Sequence, residues 1–428
     1  MTALALSLGT IVFGRLPPAR RLMALLGPGA MVAVGYMDPG NWATDIAAGA
    51  RHGTALLSAV LLASLAGVVL QVLVVRLTLA TGQDLARLIR RSFHGPVSGL
   101  IWLVSELALV ATDLAELLGG AIALNLLLGL PILPGIGVSA LITVLILAAP
   151  GAGGRTPELV VAGLVAAVAV GFGAELLMAR PDPGAVLRGF VPTAGLVRDP
   201  EQIYLALGIL GATVMPHNLF LHAGLARASL ARAAPADRRR TGRWLILDST
   251  AALGLAFLVN AAILVVAATA FHAHAAATDA TPGIADAYRL LGSTVGGGAA
   301  LVFALALFAA GQSATATGTM AGQIVTEGFL DLRLAPWLRS AITRSIALVP
   351  ALAVPLVAGD GAVAGLLVLS QVVLGLALPF VVVPMLLLLR DRRLMGRLAL
   401  PRPALHGAGV LIATLVGLSG WLAATSFA

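Results

Sequence analysis

Gly35-Tyr36-Met37-Asp38-Pro39-Gly40-Asn41 and Ala212-Thr213-Val214-Met215-Pro216-His217-Asn218 decide how this chain is read. Each stretch lies inside a long apolar run. One places a carboxylate and the other a histidine next to a proline, where an unbroken helix would otherwise be expected. Such an interruption is costly in hydrocarbon unless it lines a cavity inside the protein. The two stretches align as Asp-Pro-Gly-Asn over Met-Pro-His-Asn. Around them the chain has 428 residues, 59% hydrophobic and 11% charged, against roughly 25% charged in a soluble globular domain. That composition excludes a soluble protein.

Working outward, eleven apolar stretches are read as helices crossing a hydrocarbon layer about 30 Å thick at about 1.5 Å per helical residue. They are placed at 22–49, 54–79, 98–128, 135–150, 158–179, 202–229, 244–271, 294–329, 338–358, 362–389 and 404–427. The fold class is an all-α polytopic membrane protein. Its 27 basic residues are all arginine, and 22 of them fall at the N-terminus and in alternate loops, Arg339 and Arg344 among them. The opposite loops hold Arg51, Arg180, Arg188, Arg198 and Arg289. Arginine-rich loops stay cytoplasmic, so the N-terminus is expected inside and the C-terminus outside. The basic excess is a topology signal and not a nucleic-acid site. Met1 to Gly14 reads as an interfacial lead-in, too short to span and without the basic start of a secretory signal. The segments 180–201 and 272–293 read as external loops, and His272 and His274 as solvated histidines in the second of them.

The first broken stretch lies in span 1 and the second in span 6. If spans 1–5 and 6–10 are repeats, their odd length gives them opposite topology. Discontinuous helices at matching positions of inverted halves point to a transport site near the bilayer midplane. The expected organisation is a lead-in at 1–21, a first five-helix repeat at 22–179, a loop at 180–201, a second repeat at 202–389, and a basic loop with an eleventh helix at 390–428. Proline lacks an N–H and so frees the carbonyl four residues earlier in a helix. Pro39 frees Gly35, and Pro216 frees Ala212. Two carbonyls, the Asp38 carboxylate, the Asn41 amide oxygen and the Met215 thioether make a candidate cation cage. The soft sulfur favours a transition metal over Mg²⁺ or Ca²⁺. A purely structural role for these residues is the alternative; it is weakest for Asp38, because intramembrane carboxylates are functional by default.

Other chemistries lose their reagents. With no cysteine there is no disulfide framework, thiolate site or thiol nucleophile, and with no lysine no Schiff base. Neither HExxH nor GxSxG is present, so an intramembrane enzyme lacks its catalytic set. In span 3, Glu106, Asp113 and Glu116 are spaced by seven and three residues, which puts all three on one helical face. Three acids on one stripe suggest a proton relay. The polar run from Gln312 to Gln323 in span 8 reads as close packing by small residues or as cavity lining.

The stretches GYMDPGNWATD (35–45), ATDLAELLGGAIALN (111–125), GATVMPHNLFLH (211–222), GQSATATGTMAGQIVTEGF (311–329) and LSQVVLGLALPF (369–380) resemble the signatures of the Nramp family of proton-coupled divalent-metal transporters, and the likeness runs along nearly the whole chain. The resemblance implies a LeuT-type 5+5 inverted repeat plus an eleventh transmembrane helix. It also implies import of Mn²⁺ or Fe²⁺ with protons across the cell membrane. It places metal ligands at Asp38, Asn41 and Met215, with carbonyls at Gly35 and Ala212 and a further position at Gln371; Gln71 is a second glutamine near the site. Proton handling is implied at Asp113, with Glu116, Glu106, His217 and His222 along the route. No cofactor beyond the transported ion and protons is expected, and no obligate protein partner. Two departures stand out: Ser229 where the family often has an arginine, and Arg339-Ser340 where it has an arginine pair. One of the acids is therefore expected to lack its cationic partner. The alternatives are a Mg²⁺ or other divalent-cation carrier of the same architecture, or a metal sensor that does not transport.

Overall fold

The computed structural model describes residues 35–148, 156–278 and 282–426, and the described residues are helical with no strand. The lead-in at 1–21 and the first half of span 1 lie outside them. The helices are α1 (Pro39–His52), α2 (Leu57–Thr81), α3 (Leu85–Ser92), α4 (Gly95–Leu128), α5 (Ile132–Ala148), α6 (Thr156–Ala179), α7 (Pro183–Gly189), α8 (Gly195–Arg198), α9 (Pro200–Thr213), α10 (Pro216–Arg232), α11 (Arg238–Thr278), α12 (Ile284–Thr294), α13 (Gly297–Leu330), α14 (Pro336–Ala358), α15 (Ala362–Ala377), α16 (Pro379–Arg390), α17 (Arg392–Met395) and α18 (Arg402–Ser426), with a 3₁₀ turn at Gly396–Leu398. Among the described residues eight segments are long and apolar enough to cross a membrane; Pro200–Arg232 and Ala362–Arg390 each count as one. Shorter apolar helices lie in α5 and α6. The protein is a multi-helix membrane protein.

Local chemistry sets the helix ends. Gly82 and Gly129 adopt the left-handed conformation just past α2 and α4, and their N–H groups close on the carbonyls of Thr78 and Asn125. The prolines of both broken stretches do not kink a helix. Pro39 and Pro216 each occupy the first turn of a new one, where the missing N–H is no loss. Span 1 is unwound between Gly35 and Pro39, and span 6 at Val214 and Met215. Between α15 and α16, Leu378 keeps helical dihedrals and Pro379 only kinks the span, a feature not foreseen in span 10.

Small residues bring the broken helices together. α1 runs along α11, α9 along α15, and α4 along α13. A Cβ on Gly211 would collide with the backbone of Gln371 and Gly375, and one on Gly375 with the Leu207 carbonyl, so α9 and α15 touch through their main chains. A Cβ on Gly119 would strike the Pro39 ring, which seats α4 against the break in span 1. α14 and α18 are the outermost spans, their apolar windows only 28% buried within the protein.

Three expectations change. The loop at 272–293 is largely helical, because α11 continues to Thr278 and α12 follows. His272 thus sits on a helix, exposed, and its Nδ1 donates to the Ala50 carbonyl at 3.0 Å; the His274 side chain lies outside the described residues. The loop at 180–201 contains α7 and α8, each short and opened by proline or glycine. Arg339 and Arg344, assigned to an arginine-rich loop, are inside α14 and only 4% and 3% exposed, because each faces an acid on α4.

Candidate metal-ion site

The two broken stretches meet. Asp38 caps the N-terminus of α1: its Oδ1 accepts the Asn41 backbone N–H at 2.9 Å and the Asn41 side-chain amide at 3.0 Å. The same Asn41 Nδ2 donates to the Ala212 carbonyl at 3.0 Å, so one amide bridges span 1 to the carbonyl exposed at the end of α9. Asp38 Oδ2 has no hydrogen-bond partner although the residue is 1% exposed. Met215 is equally buried, and its Sδ accepts from Asn218 Nδ2 at 3.5 Å. The Asn218 side chain also lies against the α-carbon of Gly35. Gln371 packs across the α-carbon of Gly40, donates to Ser370 Oγ at 2.9 Å and leaves its Oε1 without a partner. An orphaned carboxylate oxygen, an orphaned amide oxygen, a thioether and a helix-end carbonyl therefore surround one buried junction.

Such a junction can replace the water shell of a cation. The Asn41 NH₂ group lies between Asp38 Oδ1 and the Ala212 oxygen and holds two acceptors that would otherwise repel. A divalent ion does the same with more charge, provided Asn41 turns its amide to present Oδ1 instead. Among the described residues no three His, Cys, Asp or Glu side chains form a metal centre. The junction has one carboxylate, and charge density alone would not make it selective.

Asn260 of α11 is a site residue that sequence reading missed. Its Nδ2 lies 3.5 Å from both Asn41 Oδ1 and the Tyr36 carbonyl, and its Oδ1 has no partner. Nothing in span 7 marks it, since an asparagine in an apolar run acquires meaning only from what it faces. Asp45, two turns along α1 from Asp38, is a second buried acid with an unpartnered oxygen; it was quoted within a motif but given no role.

The acid stripe folds against arginines. Arg344 Nη2 donates to Glu116 Oε2 at 2.9 Å and lies 3.7 Å from Asp113 Oδ1. Thr315 Oγ1 donates to the same Glu116 oxygen at 2.6 Å and is hydrogen-bonded to Arg344 as well. Arg339 Nη2 pairs with Glu106 Oε2 at 2.6 Å. The expectation that an acid lacks a cation is corrected: Glu106 faces Arg339, and Asp113 and Glu116 share Arg344. Near the other departure, Arg227 stands two residues before Ser229 and pairs with Asp84 at 2.9 Å, away from the stripe.

The histidines divide. His217 Nδ1 lies 3.4 Å from Thr112 Oγ1, beside Asp113. His222 is on the α2 side, where its Nδ1 donates to Gln71 Oε1 while Gln71 Nε2 donates to the Tyr36 hydroxyl at 2.7 Å. The structure thus brings Asp113 and Glu116 together at Arg344, sets His217 against Thr112, leaves Glu106 beside Arg339, and puts His222 in a separate chain ending at the unwound segment. In the polar run of span 8, Gln312 binds Thr143 and Thr315 binds Glu116.

Comparison with known proteins gives this arrangement its context. The chain is 48% identical over 400 residues to a divalent metal cation transporter MntH of Xanthomonas campestris, covering 93% of this chain and 90% of that one. It is 46% identical over 404 residues to the MntH transporter of Nostoc, covering 94% and 91%. A crystal structure of a manganese transporter of Eremococcus coleocola superposes with a TM-score of 0.79 at 33% identity, covering 94% of this chain and 87% of that one. Mhp1, a nucleobase-cation symporter, shares the fold at a TM-score of 0.59 and 16% identity. The overall architecture is thus the inverted-repeat transporter fold expected from the two breaks. The natural resistance-associated macrophage protein-like model, Nramp, matches residues 29–425, and the chain belongs to that family.

Proposed function

We propose that the protein imports divalent transition-metal ions, Mn²⁺ and Fe²⁺, across the cell membrane together with protons, by alternating access at the junction of the two broken helices. The observation that carries this reading is the unpartnered Asp38 Oδ2 beside the Ala212 carbonyl, Met215 and Gln371 at a buried crossing of α1, α9 and α15. Asp38 supplies charge. Asn41, Gln371 and the carbonyls of Gly35 and Ala212 supply neutral oxygens, and Met215 supplies the sulfur that a soft or borderline ion accepts and Mg²⁺ does not. Metal binding requires Asp38 to be ionised, and the cation in turn holds it so.

Protons have a separate place to go. Asp113 and Glu116 share one guanidinium on the α4–α13–α14 side, so a proton taken by either leaves Arg344 paired with the other and avoids an uncompensated buried charge. Glu106 with Arg339 lies about 15 Å nearer the start of α4 than Glu116, at 1.5 Å per residue. With the N-terminus cytoplasmic, that direction leads inward. His217, two residues from Met215 in sequence and 3.4 Å from Thr112, is the group this reading sets between the cage and the stripe.

The test is uptake of Mn²⁺ into proteoliposomes that enclose a pH indicator. Metal uptake accompanied by internal acidification is the expected result. Saturable Mn²⁺ binding without uptake would make the protein a sensor. Uptake of Mg²⁺ in preference to Mn²⁺ would overturn the transition-metal assignment.

A further inference from the structure

Two arginine clusters far apart in sequence converge on the inner end of α2. Arg238, Arg239, Arg240 and Arg243 open α11, while Arg390, Arg392, Arg393 and Arg397 follow α16 and surround α17. Gly242 lies against Leu79 of α2, where a Cβ would meet the leucine methyl at 3.2 Å. One turn away on α2, Arg76 donates to the carbonyls of Leu398 at 2.7 Å and Ala399 at 3.2 Å. The two clusters therefore meet α2 within one helical turn, at positions three residues apart on nearly the same face. Arg76 spends its guanidinium fixing the second cluster in place.

The eight flanking arginines are exposed, and among the described residues none forms an ion pair with a carboxylate. The nearest acid in the second cluster, Asp391, is occupied in capping α17 through the N–H groups of Arg393 and Leu394. Trp244 and Leu247, 44% and 58% exposed, follow directly on α11 and face outward. An exposed tryptophan next to arginine on a spanning helix marks headgroup depth, with the apolar residue on the hydrocarbon side. Eight guanidiniums at that depth present a dense positive charge to the phosphate oxygens of a leaflet.

We infer that the arginines opening α11 and those around α17 form one continuous surface for the phosphodiester headgroups of anionic phospholipids, with α2 as its spine. Such a surface ties α11, which lies along the site-bearing α1, to the leaflet.

The test uses the full chain in detergent and reads lipid retention by native mass spectrometry and thermal unfolding with added phosphatidylglycerol or phosphatidylcholine, so it is independent of the transport reading. The parent is expected to retain phosphatidylglycerol over phosphatidylcholine. Replacing Arg238, Arg239, Arg240 and Arg243 by Gln, or Arg392, Arg393 and Arg397 by Gln, should each cut that preference by at least about tenfold at low salt, given about fivefold per arginine near a charged surface. Lysine at the same positions should retain most of it. Equal retention of both lipids by the parent, loss in only one of the two glutamine variants, loss in the lysine variants, or equal stabilisation by inorganic phosphate alone would each overturn the proposal.

Discussion

At the scale of the residue, the site rests on atoms left without partners. Asp38 Oδ2 is the one carboxylate oxygen at the junction with nothing to bind. Asp38→Ala should therefore abolish metal uptake while leaving the protein folded, since Asn41 can still hold the Ala212 carbonyl; a folded variant importing Mn²⁺ at the parent rate would remove Asp38 from the site. Met215 acts through polarisability. Met215→Ala leaves room for water, so Ca²⁺ and Mg²⁺ should compete better against Mn²⁺ than they do in the parent, and competition curves measured side by side would show it. Unchanged discrimination would make Met215 packing only. For Asp113→Asn, metal-driven proton influx should fall more than metal binding, because the lost group titrates away from the cage and Arg344 keeps Glu116 as a partner. Equal loss of both would reassign Asp113 to the metal or to folding. Ligand types were legible in the sequence, since proline marks which carbonyls come free and an intramembrane acid declares itself. Asn260 was not legible, because its role depends on Tyr36 and Asn41 lying across from it.

At the scale of the element, each break is a helix start with proline in its first turn, and α9 ends with the Ala212 carbonyl turned toward Asn41. Pro216→Ala adds an N–H in the first turn of α10, where no helical carbonyl awaits it, so Mn²⁺ affinity should stay within about tenfold of the parent, less than one competing hydrogen bond would cost. Isothermal titration would measure it, and a larger loss would mean that span 6 had become continuous and claimed the Ala212 carbonyl. α14 is the element that sequence reading placed least well. Its arginines looked like loop charges because arginine counting weighs only sign and position, whereas Arg339 and Arg344 are drawn into the bundle by Glu106 and Glu116. Arg344→Leu leaves two buried acids facing each other without a cation, so it should lower stability by about 3 kcal/mol, seen as a drop in Tm. A Tm equal to that of the parent would mean that water reaches the pair.

At the scale of the whole molecule, eleven spans and the arginine asymmetry predict termini on opposite sides of the membrane, the N-terminus cytoplasmic. Tags at the two ends of the chain in intact cells should differ in accessibility, and tags exposed on one side together would contradict the count. The sequence by itself determined that the protein lives in a membrane, that two spans carry a proline break, and which residues at those breaks offer oxygen or sulfur donors. These follow from hydropathy, helix length and the missing proline N–H, all local in the chain. Only the tertiary structure decided that Asn41 bridges Asp38 to the Ala212 carbonyl, that Arg344 serves both Asp113 and Glu116, that His222 lies apart from the acids with Gln71 and Tyr36, and that two distant arginine clusters share one turn of α2. Each of these is a meeting of polar groups from helices remote in sequence. Apolar periodicity fixes that helices pack, while the register at which they pack is set by glycine contacts such as Gly211 on Gln371, which take both partners to define.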